Sequence, residues 1–426
     1  MDLTIQRMGA GGDGVAAGPI FVPRSLPGEQ VRVCLTGKRG DGQAAVLEEV
    51  LAASPDRVAP PCPHFTQGCG GCAVQHWAPA AQAAWKRDRV VEALSRAGFP
   101  DAPVAETVAT RPGHRRRADV ALRRTPHGIV AGFHVAGSEE VLDLAACTVL
   151  DPRLVALLPA LRVMARGLKA LRREGSAVVN LLDTGPDLLL RTDSALAPED
   201  RVTLAAFAAR EGLPRIAWAR RDGPTEVAAQ LGPATIALSG GVVTPAPGAF
   251  LQASPEGEAA IIAAVLAALP AKLAGRGRIA DLHAGLGTLS FPLATRGRVA
   301  AFESDAAAVV ALSAAAGRSG LPLTATRRDL ARQPLTVAEL APFAAVVLDP
   351  PFAGAPEQVG LLARSQVPVV VYVSCSPGAL SRDARAFAAA GWQVAAATPV
   401  DQFVHSAQVE AVVAFTRKPG SRGAAR

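Results

Sequence analysis

The second half of the chain constrains the fold most. From about residue 241, short apolar runs alternate regularly with helical segments. Arg278 to Leu282, Arg298 to Glu303, Leu323 to Arg327, Ala344 to Asp349, Val367 to Ser374, Gln393 to Val400 and Ala411 to Arg417 read as strands. Runs that are apolar on both faces and separated by helices specify a parallel sheet covered on both sides, so the expected fold class is α/β with a doubly wound sheet over 241–426. The last two strands have no helix between them, which predicts a closing antiparallel hairpin. The longest apolar runs, such as Val367 to Val373, fall far short of the roughly 20 residues that cross a bilayer. The start, MDLTIQRMGAGGDG, lacks the basic and apolar regions of a signal peptide. A cytoplasmic monomer with no membrane partner is expected.

The preceding 240 residues follow other rules. Over 1–54, the β segments IFVP, QVRVCL and AAVLEEV are split by the glycine turns GAGGDGV and GKRGDGQ, which suggests a small barrel of the OB type. Cys34 falls in one of its apolar strands and is expected to be a small buried hydrophobe. Over 55–240, helices (Pro79 to Ala97, Leu154 to Leu171, Ala197 to Glu211) mix with strands (Arg116 to Arg123, Gly128 to His134, Ala177 to Leu182, Asp187 to Thr192). This reads as an α+β central domain. The net charge of +7 is carried mostly by arginine, which forks onto phosphates and stacks on bases. The same composition accompanies a GC-rich coding sequence, so charge alone does not decide for nucleic acid.

Four of the six cysteines form a pattern, Cys62-x6-Cys69-x2-Cys72 with Cys147 far downstream. Clustered cysteines in a cytosolic chain point to metal or catalysis rather than disulfides. Four thiolates can close a zinc site or hold a [4Fe–4S] cluster. Three ligands in one loop and a distant fourth suit the cluster better, with zinc and unliganded thiols as the other readings.

Asp281-Leu-His283-Ala-Gly285-Leu-Gly287-Thr288 follows the first strand of the sheet and precedes a helix. Its glycines let the backbone approach a ligand at the carboxyl edge. Glu303 ends the second strand, where a carboxylate reaches ribose hydroxyls. Asp329 follows the third and could face an adenine edge. Asp349-Pro-Pro-Phe352 ends the fourth strand, Tyr372-Val-Ser-Cys375-Ser-Pro377 ends the fifth, and Val409-Glu410 opens the last. An acid, a thiol and a second acid around one cofactor pocket ask for a reaction that uses all three. Methylation of uracil C5 does so. A thiolate adds to C6, the enolate at C5 attacks a methyl sulfonium, a base removes the C5 proton, and the thiol is eliminated. Cys375 is assigned as nucleophile and Glu410 as base, with Asp349 hydrogen-bonding uracil, cofactor or both.

These motifs together resemble the RNA uracil-C5 methyltransferases, S-adenosylmethionine-dependent enzymes with a class I methyltransferase fold. The resemblance covers most of the chain: a barrel like the RNA-binding TRAM module, the four cluster cysteines, F-x-Q at Phe250-Leu-Gln252, D-L-x-x-G-x-G, D-P-P, S-C-x-P and a C-terminal V-E. It implies that Gln252, His283 and Thr288 lie beside the cofactor and that the cysteines hold a [4Fe–4S] cluster. The run Gly113-His-Arg115-Arg116-Arg117 resembles the family's G-x-R-x-R, in which the arginines face RNA. The family's bacterial tRNA enzymes generally lack barrel and cluster, so 23S rRNA is the expected substrate, with tRNA as the alternative. Four positions depart from the pattern: Ser254 and Ser376 where asparagine is usual, Phe352 where arginine is, and Gln408 where histidine is common. D-P-P-F also matches amino methyltransferases, but these need no cysteine nucleophile. Cytosine-C5 enzymes carry a second cysteine in the motif that here reads Asp349 to Phe352. A non-catalytic RNA-binding factor would have no use for Cys375 with Glu410.

Overall fold

The computed structural model describes residues 1–273 and 277–417. Residues 274–276 and 418–426, inside the range expected for the doubly wound domain, lie outside the described residues. The N-terminus forms a closed five-stranded barrel in the order Asp2–Met8, Gly14–Ala16, Ile20–Val22, Gly42–Ala52, Gln30–Arg39. Strand alternation turns Val31 and Val33 into its core with Ile5 and Val22. The same alternation turns Cys34 outward. Cys34 is therefore an exposed thiol, which corrects the expectation that it is buried.

The middle of the chain builds a seven-stranded sheet in the order Glu226–Gln230, Arg215–Arg220, Gly185–Thr192, Glu174–Leu182, Arg117–Thr125, Gly128–His134, Val141–Asp143. Its apolar face packs against the helices Pro152–Gly167 and Pro198–Glu211 through Leu154, Leu158, Leu161, Leu204 and Phe207.

The C-terminal sheet has eight strands: Leu323–Arg327, Arg298–Glu303, Arg278–Leu282, Ala345–Leu348, Val369–Ser374, Glu410–Arg417, Trp392–Asp401 and Val108–Ala109. The first five are mutually parallel. Glu410–Arg417 runs antiparallel to both its neighbours, which forms the expected hairpin. Strand order reverses between Arg278–Leu282 and Ala345–Leu348, and a crevice opens there at the carboxyl edge. One core face packs beneath the helices Pro255–Ala268 and Ala306–Ser319. The other packs beneath Pro356–Arg364 and Pro377–Ala389.

The edge of this sheet departs from expectation. Val90, Leu94 and Phe99, on and just after the helix Pro79–Arg96, are buried in the core with Phe387 and Phe415. Val108–Ala109 pairs in parallel with Val400 and Asp401. A stretch assigned to the central domain thus completes the C-terminal layer. The apolar stripe of that helix announces burial without naming the partner. No described helix is long and apolar enough to cross a membrane.

Candidate active site

Asp281, the penultimate residue of the strand Arg278–Leu282, is fully buried; its Oδ2 accepts a 2.5 Å hydrogen bond from Ser290 Oγ, while among the described residues Oδ1 has no partner. Burial raises its pKa to about 7. His283 follows with φ +61° and a buried Nε2 that also lacks a partner among the described residues. Burial lowers the pKa of its imidazole, against the opposing charges of Glu303 and Asp329. A Cβ at Gly287 would lie 2.4 Å from Leu312 Cδ1, so the close packing of this loop on the helix Ala306–Ser319 requires glycine here.

Glu303 Oε2 accepts from the Gly285 amide at 2.9 Å and Oε1 from the Ser304 and Asp305 amides, so backbone donors fix the acid at the end of the second strand. Asp281, His283, Gly285, Thr288 and Glu303 line a cleft of about 500 Å³ together with Gln252, Asp349, Phe352, Cys375, Phe403 and Glu410. Asp329 is not among the lining residues. It is exposed and caps its own turn through Ala331 N and Arg332 N. The structure therefore brings together every expected catalytic and cofactor residue except Asp329 and Gly287.

Asp349 and Glu410 meet through two glutamine side chains. Gln252 Nε2 donates to Asp349 Oδ2 at 3.3 Å, and Gln402 Nε2 donates to Gln252 Oε1 at 2.8 Å and to Glu410 Oε2 at 2.7 Å. Burial raises both carboxyls above the ordinary range, and for Glu410 the charge of Asp349 adds to it. Burial first, then the negative charges of Glu410 and Asp349, pushes the Cys375 thiol up to about 12. Among the described residues no lysine or arginine lines the cleft. Five carboxyls (Asp281, Glu303, Asp305, Asp349 and Glu410), a thiol and an imidazole whose pKa burial lowers make a site that favours a ligand of net positive charge.

Two departures from the family pattern have a local explanation. Ser254 Oγ accepts from Gly257 N at 3.1 Å and Ser376 Oγ from Ala379 N at 3.2 Å; each caps the helix that follows. Serine and asparagine are about equal in that role, so the exchanges leave the backbone beside Gln252 and Cys375 in place. Phe352 is exposed at the cleft. Its loop is held from the helix Pro377–Ala389, where Asp383 Oδ2 accepts from Ala355 N at 2.8 Å and Arg382 donates to Ala353 O at 2.9 Å. Neither Asp383 nor Gln402 was singled out in the sequence, where each is one polar residue outside any motif. Lys86, likewise missed, is fully buried and donates to Asp401 Oδ1 at 2.5 Å and to Phe403 O at 3.0 Å, anchoring the turn that leads to Glu410.

Cys62, Cys69, Cys72 and Cys147 all line a second cavity of about 450 Å³. His64 Nε2 accepts from Ala145 N at 3.0 Å, which brings the distant Cys147 segment to the cysteine loop. Burial raises the thiols of Cys69, Cys72 and Cys147. Among the described residues no three His, Cys, Asp or Glu side chains converge closely enough to hold a metal ion. Phe403, Val404, Ser406 and Gln408 form part of the cavity wall, so the turn before Glu410 separates the two sites.

The arginine run divides. Arg115 lines the cysteine cavity. Arg116 is buried, donating to Gln252 O at 3.0 Å and pairing with Glu258 at 2.5 Å, so it holds Gln252 and does not face outward as expected. Arg117 lies 5.4 Å from the ring centre of Phe250, which is exposed at the cleft.

No family model matches the chain. It is 41% identical to an uncharacterized RNA methyltransferase of Caulobacter vibrioides over 98% of this chain and all of that one. It is 35% identical to a 23S rRNA (uracil(1939)-C(5))-methyltransferase of Chromohalobacter salexigens over 97% of this chain and 89% of that one. Among solved structures, the tRNA (uracil-54, C5)-methyltransferase of Pyrococcus abyssi, in complex with S-adenosyl-L-homocysteine, superposes with a TM-score of 0.76 at 21% identity, covering 98% of this chain and 99% of that one.

Proposed function

The chain belongs to the RNA uracil-C5 methyltransferase family, and from that premise we propose that it transfers a methyl group from S-adenosylmethionine to C5 of a uracil in 23S rRNA. The observation that carries the reading is the convergence of Cys375, Glu410 and Asp349 on one acidic cleft with Asp281 and Glu303. S-adenosylmethionine, when bound, supplies an electrophilic methyl group on a cationic sulfonium. The unpartnered Asp281 Oδ1 and His283 Nε2 are free to receive polar groups of such a ligand, and Glu303 its ribose hydroxyls. Cys375 Sγ adds to C6 of the uracil, Asp349 holds the base or the cofactor, and Glu410 takes the C5 proton as Cys375 leaves. Phe250, backed by Arg117, and Phe352 offer exposed rings at the cleft on which an unstacked base can rest. The barrel is read as a TRAM-like RNA-binding module.

The named relative supports 23S rRNA. The barrel does not discriminate, since a chain named for tRNA shares the whole architecture. Digesting rRNA and tRNA from a deletion strain and mass-mapping 5-methyluridine is expected to show one site lost from 23S rRNA. Loss from tRNA alone would reassign the substrate. No loss from either would remove the reading.

Cys62, Cys69, Cys72 and Cys147 are proposed to hold a [4Fe–4S] cluster. The four thiols line one cavity, and four thiolates can hold a [4Fe–4S] cluster. Such a cluster would tie the Cys147 segment to the cysteine loop. Protein purified without air should be brown and contain about four irons per chain. Stoichiometric zinc without iron in that material would overturn the assignment.

A further inference from the structure

The hydrogen bonds of Gln402 leave it one orientation. Ala253 N can only donate, so the atom it meets at 3.0 Å is Gln402 Oε1. Both hydrogens of Nε2 are then committed, one to Glu410 Oε2 and one to Gln252 Oε1. Gln252 in turn must present its own Nε2 to Asp349. The backbone around Gln402 is equally fixed: Asp401 O accepts from Thr110 Oγ1 at 2.6 Å and Phe403 O from Lys86 Nζ at 3.0 Å. Space for the side chain comes from Gly257, where a Cβ would lie 2.5 Å from Gln402 Cβ. Gln402 is itself only 4% exposed.

Resting on the uracil-C5 reading, we propose that Gln402 is a positioning residue for the elimination half of the reaction, which aims Glu410 at the C5 proton and holds it as the carboxylate. The donated hydrogen engages Oε2, and among the described residues no bond engages Oε1, which is left for the substrate. In the step served, Glu410 Oε1 takes the C5 proton. The C–H electron pair becomes the C5=C6 double bond, and the S–C6 pair returns to Cys375. A donor hydrogen bond stabilises the ionised base against the burial and the Asp349 charge that oppose it. Methyl transfer itself precedes proton removal and does not require Glu410 to be ionised.

The test compares Gln402→Glu with Gln402→Met in single-turnover reactions with substrate RNA. Glutamate keeps the shape and the acceptor for Ala253 N but loses the amide donors and adds a like charge. Methionine keeps only the bulk. Methylation of the RNA should stay within about threefold of wild type, while release of the RNA from the enzyme slows at least about tenfold. The methylated covalent protein–RNA adduct should therefore build up on a denaturing gel. The rising limb of the release rate should move upward by about one pH unit or more, because a base deprived of its donor ionises later. Equal slowing of both steps, or an unmoved pH limb, overturns the proposal and reduces Gln402 to a packing residue. If Gln402→Met does not fold, the shape-conserving Gln402→Glu decides by the same two readouts. A wild-type enzyme that forms no adduct with 5-fluorouracil RNA would overturn the uracil-C5 reading itself, and the proposal with it.

Discussion

Cys375→Ala is expected to form no detectable 5-methyluridine, a loss of about 10⁴-fold or more, while binding cofactor and RNA near normally. The thiol stands just beyond the strand Val369–Ser374 and just before Ser376, the cap of the helix Pro377–Ala389. That scaffold needs no sulfur to form. Cys375 is half-buried and reaches the cleft, so alanine leaves a small polar gap and not a core cavity. What is lost is the nucleophile. C5 of uracil is too weak a nucleophile to take the methyl group until a thiolate has added at C6. The thiol is held up to about 12 by burial and by the neighbouring Glu410 and Asp349, which favours its protonated form. A cation brought against those carboxylates lowers that barrier, since it offsets the negative charge that opposes the thiolate. An RNA with 5-fluorouracil at the target should trap wild-type enzyme covalently, because fluorine cannot leave as a cation. Peptide mapping of the adduct should find the RNA on Cys375. Attachment elsewhere, or methylation by Cys375→Ala, would falsify the assignment even with the family unchanged.

Much of this site was legible because its chemistry sits at strand ends. Apolar runs fix the sheet, the sheet fixes which end carries ligands, and Asp281, Glu303, Asp349 and Cys375 each stand at or next to such an end. What the sequence hid depends on side-chain direction or on distant partners. Cys34 was misplaced because an apolar run does not reveal which face of a barrel strand a residue takes. Arg116 looked like a surface charge because its partner, Glu258, lies far along the chain. Asp329 follows the right strand, but its carboxylate turns back on its own loop. The outer central strand Glu226–Gln230, mostly exposed and alanine-rich, carries no strand pattern and forms by pairing with Arg215–Arg220. Lys86, Asp383 and Gln402 act on residues that the motifs did name. Single buried polar residues of this kind have no spacing rule by which to find them.

Glu410→Gln should separate the two halves of the reaction. Thiolate addition and methyl transfer should proceed, and elimination should stall by about 10²- to 10⁴-fold. The product would be a methylated covalent protein–RNA adduct, visible on a denaturing gel and carrying label from the methyl donor. Glu410 is 3% exposed at the start of the strand Glu410–Arg417. Burial, then the charge of Asp349, raises its pKa, and the Gln402 hydrogen bond pulls partly the other way. The carboxylate is the active form, so the wild-type elimination rate should climb as pH rises through that raised value. The limb should be absent in Glu410→Gln. Stability gives an independent check of sign. A carboxyl whose pKa is raised by folding binds its proton more tightly in the native state, so native stability falls as pH climbs from the unfolded pKa to the folded one. The neutral glutamine escapes that loss. Glu410→Gln should therefore be at least as stable as wild type at pH 8 in a thermal melt, even as turnover collapses. A variant that turns over normally would remove Glu410 from the mechanism. A variant that is inactive and also unfolded at pH 8 would show that the residue serves the fold and not the proton transfer.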